Sequence, residues 1–392
     1  MKHNWKHLLK PAVLAAAALA LAACGSSAET SSSAAETTSA EAAESASETS
    51  AAGDAAEKTE SSAAEEGSAE AASSEASDEK AAAGEEGEYI DDTVLRVGSL
   101  KGPTTMGIVN MMAENEENKL PFKAEFTMAA AADEITAKFA GGELDIAMVP
   151  SNLASVLYNK TEGKVQVIDI NTLGVLYGLT ADPSVKSIAD LAGRTVYMTG
   201  QGSTPQYSFE YLLKENDLEG KVQIEYKSEP TELAALLKED SNQIVIAPQP
   251  FATVIEQQNP DVKVFLDLTK AWTEAKDSGS SQLVTGVTIV NSDFLAEHEA
   301  LVAEFVLEHQ ESALKATEDL DTTAELVAKY GIIEKAPIAK LALPKCNIVC
   351  LTGADMEDAL SGYLDVLYQA EPKSVGGKLP GEDFYAFVDA AE

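Results

Sequence analysis

Two hydrophobic patterns alternate along residues 89–392, short apolar runs suited to strands and longer segments with apolar positions three or four apart, suited to helices. Val94, Leu95, Arg96 and Val97 form a strand-like run that breaks at Gly98–Gly102. Pro103, with its fixed φ, suits a first helical position, and Ile108, Val109, Met111 and Met112 follow at helical spacing. Further strands are predicted over Phe122–Met128, Leu144–Pro150, Val165–Thr172, Leu173–Asp182, Arg194–Gly200, Val222–Lys227, Ile244–Pro250, Val262–Leu268 and Gln282–Asn291. The intervening helices begin with Ala131–Ala140, which turns Ile135 and Phe139 inward and stops at Gly141-Gly142. One with Leu153, Val156 and Leu157 inward comes next, then a short one at Ile188–Leu191. A further helix carries Phe209, Leu212 and Leu213, with Glu210 and Lys214 paired at i,i+4. Thr231–Lys238 and Phe251–Gln257 follow. Glu297–Leu314 reads as one amphipathic helix with Leu301, Phe305 and Leu314 inward, Ala342–Gly353 as extended, and Gly353–Tyr368 as the last helix. Such alternation argues for an α/β fold with parallel sheets covered on both faces.

One device recurs four times: a strand, a turn rich in donors, and a helix start whose first amides lack partners. The turns are Lys101–Thr105, Pro150–Asn152, Gln201–Thr204 and Gln249–Pro250. One such turn is an ordinary βα loop. Four of them suggest a site for a small polar or anionic ligand, because open α/β sheets bind ligands where helix N-termini converge. Ser151 and Asn152 read as helix-capping residues.

Charge adds a second picture. The 392 residues carry 65 Asp+Glu against 28 Lys+Arg, yet the first 24 hold Lys2, Lys6 and Lys10 and no acid. The apolar stretch from Pro11 to Cys24 is short for a membrane span and has the form of a secretory signal. Leu21-Ala22-Ala23-Cys24-Gly25 resembles the bacterial lipobox, which implies diacylation of Cys24 on sulfur and residues 1–24 as signal peptide. Residues 25–88 are almost wholly Ala, Ser, Glu, Thr and Gly. They cannot bury enough apolar surface to fold, so they are expected to form an acidic tether. As a flexible chain it would reach about 40–50 Å.

The runs Ile135–Ser155, Ser187–Tyr207 and Ile244–Pro250 resemble the solute-binding proteins of bacterial ABC importers. The nearest group is the nitrate, sulfonate and taurine (NitT/TauT) type, which includes binders of thiamine-pyrimidine precursors. The resemblance implies a two-domain periplasmic-binding-protein fold of type II. Domain I would take residues 89–178 plus 286–392 and domain II residues 179–285, with Leu173–Asp182 and Gln282–Asn291 as the crossing strands. The ligand would lie in the cleft, held by Lys101, Gly102, Thr104, Thr105, Ser151, Asn152, Gln201, Gly202, Ser203, Thr204, Gln249 and Tyr177. Tyr207, Phe251 and Trp272 are further candidates for stacking on a flat ring. The implied partners are a membrane permease and an ATPase, with the chain acting as a lipid-anchored monomer on the outer face of the cytoplasmic membrane and using no cofactor.

Several chemistries are disfavoured. Arg96 and Arg194 are the only arginines after the tether, and neither stands where a guanidinium could clamp a dianion. Lys101 is the one cation near the turns, which suits a neutral, zwitterionic or singly charged solute. Histidine occurs only at positions 3, 7, 298 and 309, without metal-ligand spacing, so neither a metal site nor a Ser-His-Asp triad is expected. GQGSTPQ lacks the lysine of a P-loop, and no basic patch invites nucleic acid. Cys346 and Cys350 are expected to be free. The alternative reading is an enzyme on the same scaffold, of the thiamine-pyrimidine synthase or chorismate dehydratase kind.

Overall fold

The computed structural model describes residues 89–90, 92–275 and 281–388. The expected signal peptide, lipobox cysteine Cys24 and acidic tether fall outside these residues. Among the described residues, no helix is long and apolar enough to cross a membrane.

The first apolar runs become β1 (Val94–Leu100), β2 (Lys123–Ala129) and β3 (Ile146–Pro150), separated by α1 (Pro103–Glu116) and α2 (Ala132–Ala140). Ile146 to Val149 are fully buried because β3 is an inner strand covered on both faces. Next come α3 (Ser151–Lys160), β4 (Val165–Leu173), β5 (Leu176–Thr180) and β6 (Thr195–Met198). Then follow α4 (Thr204–Glu215), β7 (Gln223–Tyr226), α5 (Pro230–Glu239) and β8 (Ile244–Pro248). The run α6 (Phe251–Gln258), β9 (Lys263–Asp267), α7 (Leu268–Glu274) and β10 (Val284–Asn291) completes the α/β part. The remainder is α8 (Ser292–Glu297), α9 (Glu299–Glu318), α10 (Leu320–Lys329), α11 (Ala336–Ala342), β11 (Ile348–Leu351) and α12 (Gly353–Ala370).

The strands form two sheets with one wiring. The first runs β11-β4-β10-β3-β1-β2 and the second β7-β6-β8-β5-β9. In the first, β1 pairs in parallel with β2 and β3, and β10 lies antiparallel between β3 and β4. In the second, β6 pairs in parallel with β7 and β8, and β5 lies antiparallel between β8 and β9. Each antiparallel strand is the piece of chain that has just arrived from the other sheet.

The crossings differ in detail from the expected strands. Leu173 ends β4 in the first sheet, and Leu176 opens β5 in the second. Only Gly174 and Val175 pass between them. A Cβ at Gly174 would meet Thr269 Oγ1 at 2.2 Å, so glycine is required there for packing. The expected strand Gln282–Asn291 starts at Val284 and belongs wholly to the first sheet.

Other expectations are corrected by packing. His298 separates α8 from α9, and Leu314 is 54% exposed because His309 and Ser312 take the inward face. Glu210 accepts a hydrogen bond from Gln206 Nε2 (2.8 Å) where a pairing with Lys214 was expected. Residues Ala336–Ala342 are helical and Leu343–Lys345 form a 3-10 turn, so only Ile348–Leu351 of the expected extended segment is strand. On α3 the polar Ser151, Asn152 and Ser155 are buried, while Leu153, Val156 and Leu157 are half-buried.

Candidate functional site

The four turns meet. Lys101, Gly102 and Thr104 from the first, Pro150 from the second, Gln201, Gly202 and Ser203 from the third and Gln249 from the fourth line one cavity of about 570 Å³. Two turns belong to helices following β1 and β3 of the first sheet, and two to helices following β6 and β8 of the second. The cavity is therefore a cleft between the C-terminal edges of two parallel sheets, where such sheets bind ligands.

Its electrostatics come mainly from backbone. At α1, α2, α3, α4 and α6 the N-cap side chain makes no capping bond. All five helices put a cap or first-turn residue in the wall: Gly102, Ala131, Pro150, Ser203 and Phe251. Five positive helix ends then line one space, a setting that favours an anion. Lys101 and Lys227 add two cations against one acid, Asp133. Lys227 Nζ stands 5.2 Å from the Tyr197 ring centroid.

Three buried polar atoms of wall residues lack partners: Gln249 Nε2, Thr285 Oγ1 and the Tyr226 hydroxyl. Gln249 is 1% exposed, and its Oε1 accepts from Thr253 Oγ1 (2.9 Å) and Thr253 N (3.3 Å). That fixes the amide and leaves Nε2, a donor with no hydrogen bond, on the cleft residue. Thr285 Oγ1, from the second residue of β10, is likewise buried without a partner. Such groups cost about 1–3 kcal/mol each when left unmade, so a site that retains them has a use for them.

Other expected ligand residues serve the scaffold. Thr105 Oγ1 donates to the Leu100 carbonyl (2.6 Å) and meets Ser99 Oγ (2.7 Å). Ser151 Oγ donates to the Val284 carbonyl (2.6 Å), and Thr204 Oγ1 donates to Asn152 Oδ1 (3.1 Å). Asn152 Nδ2 donates to the Ser374 carbonyl (3.0 Å). Ser151, Asn152 and Thr204 thus tie the second turn to the third instead of lining the cavity, and neither Ser151 nor Asn152 acts as a cap. Tyr177 sits on β5 with its hydroxyl 3.5 Å from the Lys345 carbonyl, and burial together with Asp267 pushes its pKa up to about 12. It is not a wall residue of the cleft.

Of the aromatic candidates, Phe251 lines the cleft. Tyr207 lines a separate cavity of about 420 Å³ beside α4, β7 and α12. Trp272 is fully buried on α7 between Tyr211 (centroids 4.7 Å apart) and Tyr363 (5.1 Å), its Nε1 donating to Ser281 Oγ (3.0 Å). It is a core residue. Thr172, Thr199, Lys227 and Thr285 were not expected in the wall. Thr285 had one sequence signal, a hydroxyl beside Gly286 inside an otherwise apolar strand.

Both arginines after the tether are engaged away from the cleft. Arg96 grips Asp145 through Nε (2.9 Å) and a second nitrogen, and Arg194 reaches Asp182 (3.1 Å). Cys346 and Cys350 are free. The expectation that His309 has no cysteine around it is overturned: Cys350 Sγ lies 3.6 Å and Asp169 Oδ2 3.1 Å from its Nδ1.

Solved structures share this architecture. An ABC transporter protein from Parabacteroides distasonis superposes with a TM-score of 0.64 at 22% identity, over 75% of this chain and 99% of that one. The periplasmic aliphatic sulphonate-binding protein of Escherichia coli gives 0.61 at 15%, over 76% and 94%. A protein of Candida albicans described as having the generic periplasmic binding protein fold gives 0.53 at 14%, over 76% and 98%. The fold is that of the periplasmic binding proteins. At these identities the likeness establishes the periplasmic-binding fold and nothing finer about the ligand. No protein-family model and no curated protein matches the chain.

Proposed function

We propose that this chain is the extracytoplasmic solute-binding component of an ABC importer. It captures a small polar or singly charged organic solute or anion in the cleft and delivers it to a permease and its ATPase. Cys24 anchors the mature chain by lipid to the outer face of the cytoplasmic membrane, and residues 25–88 hold the folded part away from it. The two sheets are the cores of two lobes, with Gly174–Val175 and the stretch before β10 as the hinges about which they close. No reaction is catalysed.

The observation that carries this reading is the orphaned Gln249 Nε2 in a wall of five helix starts whose N-cap side chains make no capping bond. A donor fixed by its own amide oxygen and left unpaired is what an incoming carboxylate or sulfonate oxygen would satisfy. Two lysines and no cleft arginine suit one negative charge better than two. Some neighbours of the same fold are described as sulfonate-binding, which agrees with that charge. The test is a thermal-unfolding panel of alkanesulfonates, taurine, nitrate, small carboxylates and pyrimidine precursors. A ligand at a hundred times its Kd should add about 2.7 kcal/mol of stability. Turnover of any stabilising compound would refute the binding-protein reading. Lipid attachment is checked separately, since Cys24→Ala should release the protein from membranes.

A further inference from the structure

Away from the cleft, side chains from three separate elements converge on one nitrogen. Asp169 comes from β4, His309 from α9 and Cys350 from β11. Asp169 and His309 are fully buried. His309 Nδ1 lies 3.1 Å from Asp169 Oδ2 and 3.6 Å from Cys350 Sγ, and the three atoms are all within 4.8 Å of one another. We propose that Asp169 Oδ2, His309 Nδ1 and Cys350 Sγ form a binding site for a zinc-like divalent transition-metal ion.

The spacing is that of a coordination shell. Tetrahedral zinc with bonds of about 2.0–2.1 Å to N and O and about 2.3 Å to S has edges of about 3.3 Å (N to O) and 3.6 Å (N to S). Hydrogen bonding accounts for both contacts only if one Nδ1 proton is shared between the carboxylate and the weakly accepting sulfur. Nδ1 carries either a proton, which can point at the carboxylate, or a lone pair, which can accept from the thiol. A cation at the centroid satisfies all three facing atoms and offsets the negative charge that burial makes costly, while His309 Nε2 stays buried without a partner. The convergence of both partners on Nδ1 also excludes a catalytic triad, which uses the two opposite ring nitrogens.

The surroundings fit a metal shell as well. Thr288 Oγ1 donates to the other oxygen, Asp169 Oδ1 (2.7 Å), and in turn accepts from Asn171 Nδ2 (3.1 Å). Such outer contacts fix a ligating carboxylate. Thiolate and imidazole select zinc, cobalt or copper over magnesium and calcium. Access is available through Cys350, which is half-buried on the edge strand β11. On binding, the S–H bond of Cys350 breaks, a sulfur–metal bond forms, and the proton leaves to solvent.

The test is a cobalt(II) titration of the full-length chain, reduced and stripped with chelator, read by the thiolate-to-cobalt charge-transfer absorption. The band should saturate at one cobalt per chain and vanish when zinc is added. Cys350→Ser and His309→Gln should abolish it, whereas Cys346→Ala and Cys24→Ala should keep it. Thr288→Val should weaken affinity about 10–100-fold, with circular dichroism checking that each metal-free variant is folded. Zinc should also raise the unfolding midpoint of the wild type but not of Cys350→Ser, and magnesium should do neither. A wild-type protein with no band, a band that survives Cys350→Ser, or one that depends on Cys24 overturns the site. None of these readouts involves the cleft solute, so either proposal can fail alone.

Discussion

Gln249→Met tests the cleft most directly, because one side chain there has a part that holds the scaffold and a part that does not. Oε1 supports α6 through Thr253, while Nε2 has no partner. Methionine keeps the length and apolar fill but removes both groups. Losing the contact to Thr253 resembles the loss of a helix cap, a cost of about 0.5–2 kcal/mol. Removing a buried unpaired donor returns about 1–3 kcal/mol. These terms oppose each other, so the unliganded variant should unfold within about 1–2 kcal/mol of the wild type, on either side. Binding has no such compensation. A hydrogen bond to a charged acceptor contributes about 1.5–3 kcal/mol, so Kd should rise roughly 10- to 150-fold. Isothermal titration with the best compound of the panel measures this, and urea unfolding measures stability. A Kd within twofold of the wild type would show that the donor does not face the solute, and the cleft reading would be lost.

Lys101→Met and Lys227→Met should each lower affinity a few-fold and flatten its salt dependence, because exposed charges at a cleft mouth act through a screened field; titrations at two ionic strengths check it. Trp272→Ala should cost about 3–5 kcal/mol of stability and leave Kd of the folded protein unchanged, read by urea unfolding and titration. If affinity falls while stability holds, Trp272 is not the core residue described here. Arg96→Met strips the partner of Asp145, which is 5% exposed. The cost should fall below the roughly 3–5 kcal/mol of a fully buried pair, since the Arg96 side chain is 43% exposed; an unchanged denaturation midpoint would contradict it.

The positions of strands and helices were largely legible because apolar periodicity reports which face is covered. The first four α/β units appear within a few residues of their expected places, and all four turns reach one cavity. Periodicity is blind to buried polar groups, and the misses at Ser151, Asn152 and Thr204 have that cause. Ser151, Asn152 and Thr204 look like ligand donors in sequence, yet they bond one another and nearby carbonyls. Leu314 is exposed and His309 buried because a tertiary contact with Asp169, 140 residues away, decides which face of α9 turns inward. No spacing rule connects Asp169, His309 and Cys350, since their proximity depends on β11 pairing with β4 and on α9 packing against β11.

The insertion of β10 between β3 and β4, and of β5 between β8 and β9, explains why one chain builds two sheets, each with its own interior antiparallel strand, over a buried core that both share. If β5 had stayed beside β4, a single sheet would have formed and the helix starts would have shared one edge. Because β5 and β10 are exchanged, each sheet is locked by a strand whose register is set in its own interior, with Val287 opposite Val149 and Ile170, and Leu179 opposite Val245 and Val264. Between Leu173 and Leu176 the connection is only Gly174 and Val175. Gly174 is pressed against Thr269 of the second-sheet side, and its carbonyl accepts from Asn347 Nδ2 beside β11 of the first. Both halves therefore hold this residue. A methyl group there must displace Thr269, so Gly174→Ala should shift how the two sheets meet while changing no side chain of the cleft wall. Small-angle scattering with and without solute reads that shift directly. A variant whose scattering and Kd both match the wild type would show that Gly174 does not govern how the sheets meet.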